Sequence, residues 1–99
     1  MNYPVSLAPL AETDLEDAKH WYEERRKGLG EEFVFSIDAT LNSISRNPLL
    51  FRVIKKGIRR ALTKRFPFAV FFTIEKHEII ILAVLHCRRN PKLFLKRHH

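Results

Sequence analysis

The second half of the chain concentrates the side chains that could grip an anion. Residues 47–99 hold thirteen lysines and arginines against two acids, Glu75 and Glu78, a net charge of +11. Residues 1–46 hold nine acids and five bases, a net −4, so the overall +7 conceals an acidic part joined to a basic one. Ten of the thirteen bases stand as adjacent pairs, among them Arg59 with Arg60, Lys64 with Arg65, and Arg88 with Arg89. A potential this one-sided attracts polyanions, whether nucleic acid, an acidic protein surface or an acidic peptide. The competing reading is a merely solvated face, but a surface that serves only solubility interleaves both signs. Neighbouring side chains leave a strand on opposite faces, so at most one of Arg59 and Arg60 meets a given partner.

Other chemistry is thin. His20 and His77 stand alone, with no grouping at metal-ligand spacing. Glycine-rich phosphate loops and nucleophile motifs are absent. Neither a metal nor a cofactor is expected. Cys87 is the only cysteine, so no internal disulfide can form, and it reads as a small apolar filler at the end of a strand.

The elements that position these residues follow from periodicity. Val5-Ser6-Leu7 alternates as a short first strand. Pro9 fits the first turn of a helix, where its missing N–H costs nothing. Ala11, Leu15, Ala18 and Tyr22 recur at helical spacing on one face, widened by Trp21. Acids crowd the N-terminal end of this helix and Arg25, Arg26 and Lys27 its C-terminal end, complementing the dipole. Gly28-Leu29-Gly30 is expected to end it. A second helix then runs back with Phe33, Ile37, Leu41 and Ile44 as its stripe, and Asn47-Pro48 stops it. Ile58 to Phe66 reads as a charged strand. Residues 68–74 and 79–87 read as strands apolar on both faces, joined by a polar turn at 75–78, and such strands belong at the centre of a sheet. The phenylalanines at 66, 68, 71 and 72 are expected in the core. The order is β-α-α-β-β-β, an α+β fold with a two-helix hairpin packed on an antiparallel sheet of about four strands.

At 99 residues the chain makes one domain, taken as residues 1–97, with His98 and His99 a tail or a purification remnant. The longest apolar run, Ile79 to Leu85, is far below the roughly 18 residues of a membrane span. Met1-Asn2-Tyr3-Pro4 lacks the features of a signal peptide. With no disulfide, a cytoplasmic location is expected.

The sequence resembles the RelE/ParE toxin superfamily of type II toxin–antitoxin systems, and most nearly its ParE-like plasmid-stabilisation branch. The likeness is spread over nearly the whole chain. It runs through Ala11, Asp14 and Leu15, the aromatic pair Trp21-Tyr22, Gly28 and Gly30 before Phe33, and Asn47-Pro48. Gly57-Ile58-Arg59-Arg60 and Lys64-Arg65-Phe66-Pro67-Phe68 follow. It closes on His86-Cys87-Arg88-Arg89-Asn90-Pro91, Phe94 and Arg97.

The resemblance implies a toxin neutralised by a cognate antitoxin, whose disordered segment folds on binding. The helix stripes, through Leu15, Trp21, Tyr22, Phe33 and Ile37, are the surface expected to take it. Both a homodimer and a hetero-oligomer with the antitoxin stay open. RelE-type members cut messenger RNA in the ribosome, which needs an acid, a base and cations around the phosphate. Here His86 is the candidate catalytic group, and Arg59, Arg60, Lys64, Arg65, Arg88, Arg89 and Arg97 are the candidate target- or nucleic-acid-binding cations. The competing reading of His86 is a residue that orients the end of its strand. ParE-type members poison DNA gyrase without doing chemistry. Two departures favour that branch: Pro67 stands where many ribonuclease members have an arginine, and no tyrosine follows Tyr22. Gyrase inhibition is therefore the leading expectation, with a RelE-like endonuclease and a non-toxic interaction module as alternatives.

Overall fold

A computed structural model of the chain describes residues 2–89. Strand β1 (Val5–Leu7) leads into helix α1 (Pro9–Arg25) and helix α2 (Leu29–Arg46). A single 3-10 turn (Pro48–Leu50) follows Asn47-Pro48, which ends α2 as the sequence requires. Four strands complete the fold: β2 (Arg52–Lys55), β3 (Ile58–Leu62), β4 (Phe68–Glu75) and β5 (Glu78–His86). The sheet order is β1-β5-β4-β3-β2. The two strands apolar on both faces are flanked on each side, as expected.

The sheet departs from the sequence reading in three ways. It has five strands, because Arg52–Lys55 pairs with β3 through a two-residue hairpin at Lys56-Gly57. Both turn residues have positive φ, 44° and 79°, the geometry that matches strand twist. It is mixed, because β1 runs parallel to β5, and everything from α1 to β4 lies between the two in the chain, ample for the long connection that parallel pairing needs. And β3 stops at Leu62, four residues early. Residues 63–65 leave the sheet, and Arg65 takes a left-handed φ of 73°.

The helix hairpin covers one face. Ala11, Phe33, Ile37 and Ile44 meet Val70, Phe72, Ile79, Ile81 and Val84 in the main core. Ile58, Ala69, Phe71, Leu82, Ala83 and Leu85 form a smaller apolar layer on the other face. The register places one extra residue, Leu82, in β5, and this bulge lets Leu82 and Ala83 both join that layer. Where β1 ends, α1 lies across the outer edge of β5, and Asp14 Oδ2 accepts the Val84 N–H at 3.0 Å.

Gly30 is not a helix terminator. It lies buried in the first turn of α2, and a Cβ there would meet the Lys19 carbonyl oxygen at 2.7 Å. Glycine is required by the close helix crossing. Helix α1 ends at Arg25 with Arg26 extended, and Gly28, at φ 89°, turns the chain into α2 as its N-cap.

Candidate functional site

Strand alternation separates the two central arginines. Ala61 packs on the helix side and Ile58 on the opposite side, so Arg59 points toward the helices and Arg60 away from them. Arg59 Nη1 donates to the Phe51 carbonyl at 2.7 Å and reaches that of Leu49 at 3.5 Å. It ties the turn after α2 to the sheet. Arg60 is exposed and lines a depression of about 50 Å³ with Leu62, His86, Cys87 and Arg89, over Ala69, Phe71 and Leu85. Arg52 stands directly opposite Arg60 in the β2–β3 register, and like charges so placed repel. Among the described residues no carboxylate pairs with Arg52, Arg60 or Arg89.

His86 closes β5. Its Nδ1 accepts the Arg88 backbone N–H at 3.1 Å, and its carbonyl accepts that of Arg89 at 2.9 Å. Its ring meets Phe68 edge-on, 5.3 Å between centroids. A neutral imidazole that accepts at Nδ1 carries its proton on Nε2. It therefore offers a donor, and not a base, to a group approaching its free nitrogen. These contacts also orient the chain as it leaves the strand. Cys87 is exposed just beyond the strand. That corrects its reading as a filler: the strand ends one residue sooner and releases it to solvent.

The other cations lie apart from this end. Arg65 Nη2 donates to Glu32 Oε1 at 2.7 Å, and Arg26 Nη2 to Glu32 Oε2 at 3.0 Å. Arg65 first, then Arg26, hold the Glu32 carboxyl below its ordinary range. Ser36 Oγ donates to the Lys64 carbonyl at 2.6 Å, which fastens the loop after β3 to α2. Arg88 is exposed. Arg97 lies outside the described residues. The basic set thus divides: Arg60 and Arg89 converge with His86, Arg59 braces the fold, and Lys64 and Arg65 sit against α2.

The helix stripes are used internally. Phe33 and Ile37 are fully buried and present no surface to a partner in this conformation. Tyr22 wedges among Phe33, Phe66 and Phe68, and burial raises its hydroxyl pKa. Leu15 is half-buried at the rim of the core. Trp21 is 50 % exposed, with the Arg25 guanidinium 3.7 Å from its ring. Other apolar surface that stays open was not singled out from the sequence. Phe35 and Leu62 flank a groove of about 440 Å³ between α2 and the end of β3. The available signal was Phe35 itself, a large apolar residue off the buried stripe.

The model of one protein family, the ParE toxin of the type II toxin–antitoxin system parDE, matches residues 5–91. The fold is similar to that of a chain from the chromosomal ParDE toxin–antitoxin system of P. aeruginosa. The TM-score is 0.76 at 18% identity, over 85% of this chain and 95% of that one. It is also similar to a chain of the RelBE2 toxin–antitoxin complex from Mycobacterium tuberculosis. That TM-score is 0.61 at 18% identity, over 87% of this chain and 99% of the other. No curated protein matches the sequence.

Proposed function

The chain belongs to the ParE toxin family of type II toxin–antitoxin systems, and from that premise we propose that it inhibits DNA gyrase and is held inactive by a cognate antitoxin. The observation that carries this reading is the cationic end of the sheet. Arg52, Arg60 and Arg89 stand there without carboxylate partners among the described residues, and two of them face each other across a strand pair. An external anion relieves that repulsion, so the end is suited to a negatively charged target surface. Inhibition by occupancy needs such a surface and no acid or base. With Nδ1 engaged, the free nitrogen of His86 donates, which serves contact with a target as well as it would serve the acid step of cleavage.

A second reading, a RelE-like endonuclease acting on mRNA in the ribosome, draws on one observation. His86 shares its depression with Arg60 and Arg89, and an imidazole among cations is equipment for phosphodiester cleavage.

The test is purified protein incubated with gyrase and plasmid. Cleaved DNA complexes accumulate, and the exposed-site double variant Arg60→Glu/Arg89→Glu needs at least about tenfold more protein, equivalent to about 1.4 kcal/mol of lost contact. Unaltered supercoiling by the wild-type protein rejects the gyrase reading. Ribosome-dependent mRNA cleavage that disappears in His86→Ala replaces it with the endonuclease. Undisturbed growth on induction without antitoxin leaves a non-toxic interaction module.

A further inference from the structure

The face of the sheet turned away from the helices carries its cations over an apolar floor. Arg52 and Arg60 are directly opposite in register, so they leave that face side by side. Arg89, just past the end of β5, shares the shallow depression with Arg60. All three are exposed, and among the described residues none has a carboxylate partner. Ala69, Phe71 and Leu85 floor the depression, and such a floor offers a guanidinium no acceptor. The only acids after residue 46, Glu75 and Glu78, pair across the β4–β5 turn, at the opposite end of these strands from the Phe68–His86 pair. Aromatic side chains are closed off here as well. Phe71 is 3 % exposed, and the exposed aromatic rings among the described residues, Trp21 and Phe35, are on the helices.

Resting on the gyrase reading above, we propose that this face binds the phosphate backbone of duplex DNA without regard to sequence, and so contacts the DNA segment that gyrase holds. Charge density selects the partner. Arg52 is on β2 and Arg89 follows β5, three strand spacings away, or about 14 Å across the sheet. Matching three guanidiniums over that width takes fixed negative charge of equal density. Carboxylates crowded so closely on a protein surface repel one another, which raises their pKa values and neutralises part of the set. Duplex DNA carries one phosphate charge per about 1.7 Å of its axis and keeps it. The closed aromatic rings select the duplex over a single strand, because single-strand sites hold unpaired bases by stacking them on open rings. Contacts to phosphates position a protein and carry no sequence information.

The test is fluorescence anisotropy of the purified full-length protein with a short labelled duplex of mixed sequence, titrated at several salt concentrations. Each of Arg52→Gln, Arg60→Gln and Arg89→Gln lowers the slope of log affinity against log salt by about one. The triple variant weakens binding at least about tenfold in roughly 0.1 M salt. Lys19→Gln removes the same charge from exposed α1 and leaves binding unchanged, and circular dichroism verifies the fold of every variant. The matching single strand binds more weakly than the duplex, and polyglutamate does not compete. Duplex affinity that survives the triple variant overturns the proposal. Tighter binding of the single strand overturns the choice of duplex, and equal competition by polyglutamate assigns the face to an acidic protein surface instead. A wild-type protein that inhibits gyrase but binds no duplex overturns the DNA contact and leaves the gyrase reading standing. Duplex binding that the variants abolish, in a protein without effect on gyrase, supports the DNA contact and removes that reading.

Discussion

Arg59 and Arg60 are chemically identical neighbours whose fates differ because a strand turns them to opposite faces. Arg59 donates to the part-buried Phe51 carbonyl and only reaches the exposed one of Leu49, so Arg59→Leu leaves the Phe51 acceptor without its charged partner. Charged hydrogen bonds of this kind contribute about 1.5–3 kcal/mol, and urea denaturation is expected to show a loss of that size. Arg60→Leu removes only an exposed cation from a repelling pair and stays within about 0.5 kcal/mol. Equal losses in the two variants would contradict the assignment of faces. Carboxylates give a second residue-scale prediction. Glu23 accepts the Gly28 and Gly30 backbone N–H groups, at 3.0–3.1 Å. Those two bonds, first Gly28 and then Gly30, lower its pKa, as the two arginines lower that of Glu32. A folded-state pKa below the ordinary 4.5 means stability that is fully present above about pH 4.5 and is lost as pH falls through the lowered values. The double variant Glu23→Gln/Glu32→Gln should therefore show a flatter acid limb below that pH, and the two stability curves should converge at low pH. Parallel curves would refute the linkage.

At the scale of elements, the helix hairpin is decided by Gly30. Helix propensity alone predicts that Gly30→Ala stabilises α2 by about 0.5–1 kcal/mol. The crossing predicts the opposite, because the new Cβ would lie 2.7 Å from a backbone oxygen of α1 and overpacking costs about 1–3 kcal/mol. The second effect is larger, so net destabilisation is expected in chemical denaturation, and a gain in stability would show that the helices can part without cost. The sequence places the glycine correctly and cannot assign its purpose, since a terminator and a close contact both ask for glycine. The same limit explains β2. Arg52-Val53-Ile54-Lys55 is too short and too charged for alternation to stand out. Lys56-Gly57 is a weak form of the two-residue turn that joins it to β3. The turn at Lys76-His77 has positive φ at both residues, 49° and 69°, without any glycine. Here the apolar strands on either side impose the geometry on residues that do not favour it.

For the whole molecule, the division into an acidic helical part and a basic sheet part governs behaviour in salt. Of the acids in the first half, Glu32 answers Arg26 and Arg65, while the cations at the far end of the sheet answer one another. Raising ionic strength from roughly 0.01 to 0.1 M shortens the screening length from about 30 to about 10 Å. Thermal unfolding is expected to shift upward over that range, because screened repulsion outweighs two exposed ion pairs. A downward shift would mean that the ion pairs dominate. The sequence by itself determined the charge division, both helices, the central apolar strands and the family, because each is written in local periodicity or in a spread of short motifs. It could not determine which cations converge. Arg60 and Arg89 come together with His86 only through the pairing of β3, β4 and β5, while Arg59 turns inward through the parity of one strand. Nor could it show that Phe33 and Ile37 are consumed by the core while Phe35 and Leu62 stay open. That outcome depends on how far two helices extend across five strands, a question of widths and registers between segments distant in the chain.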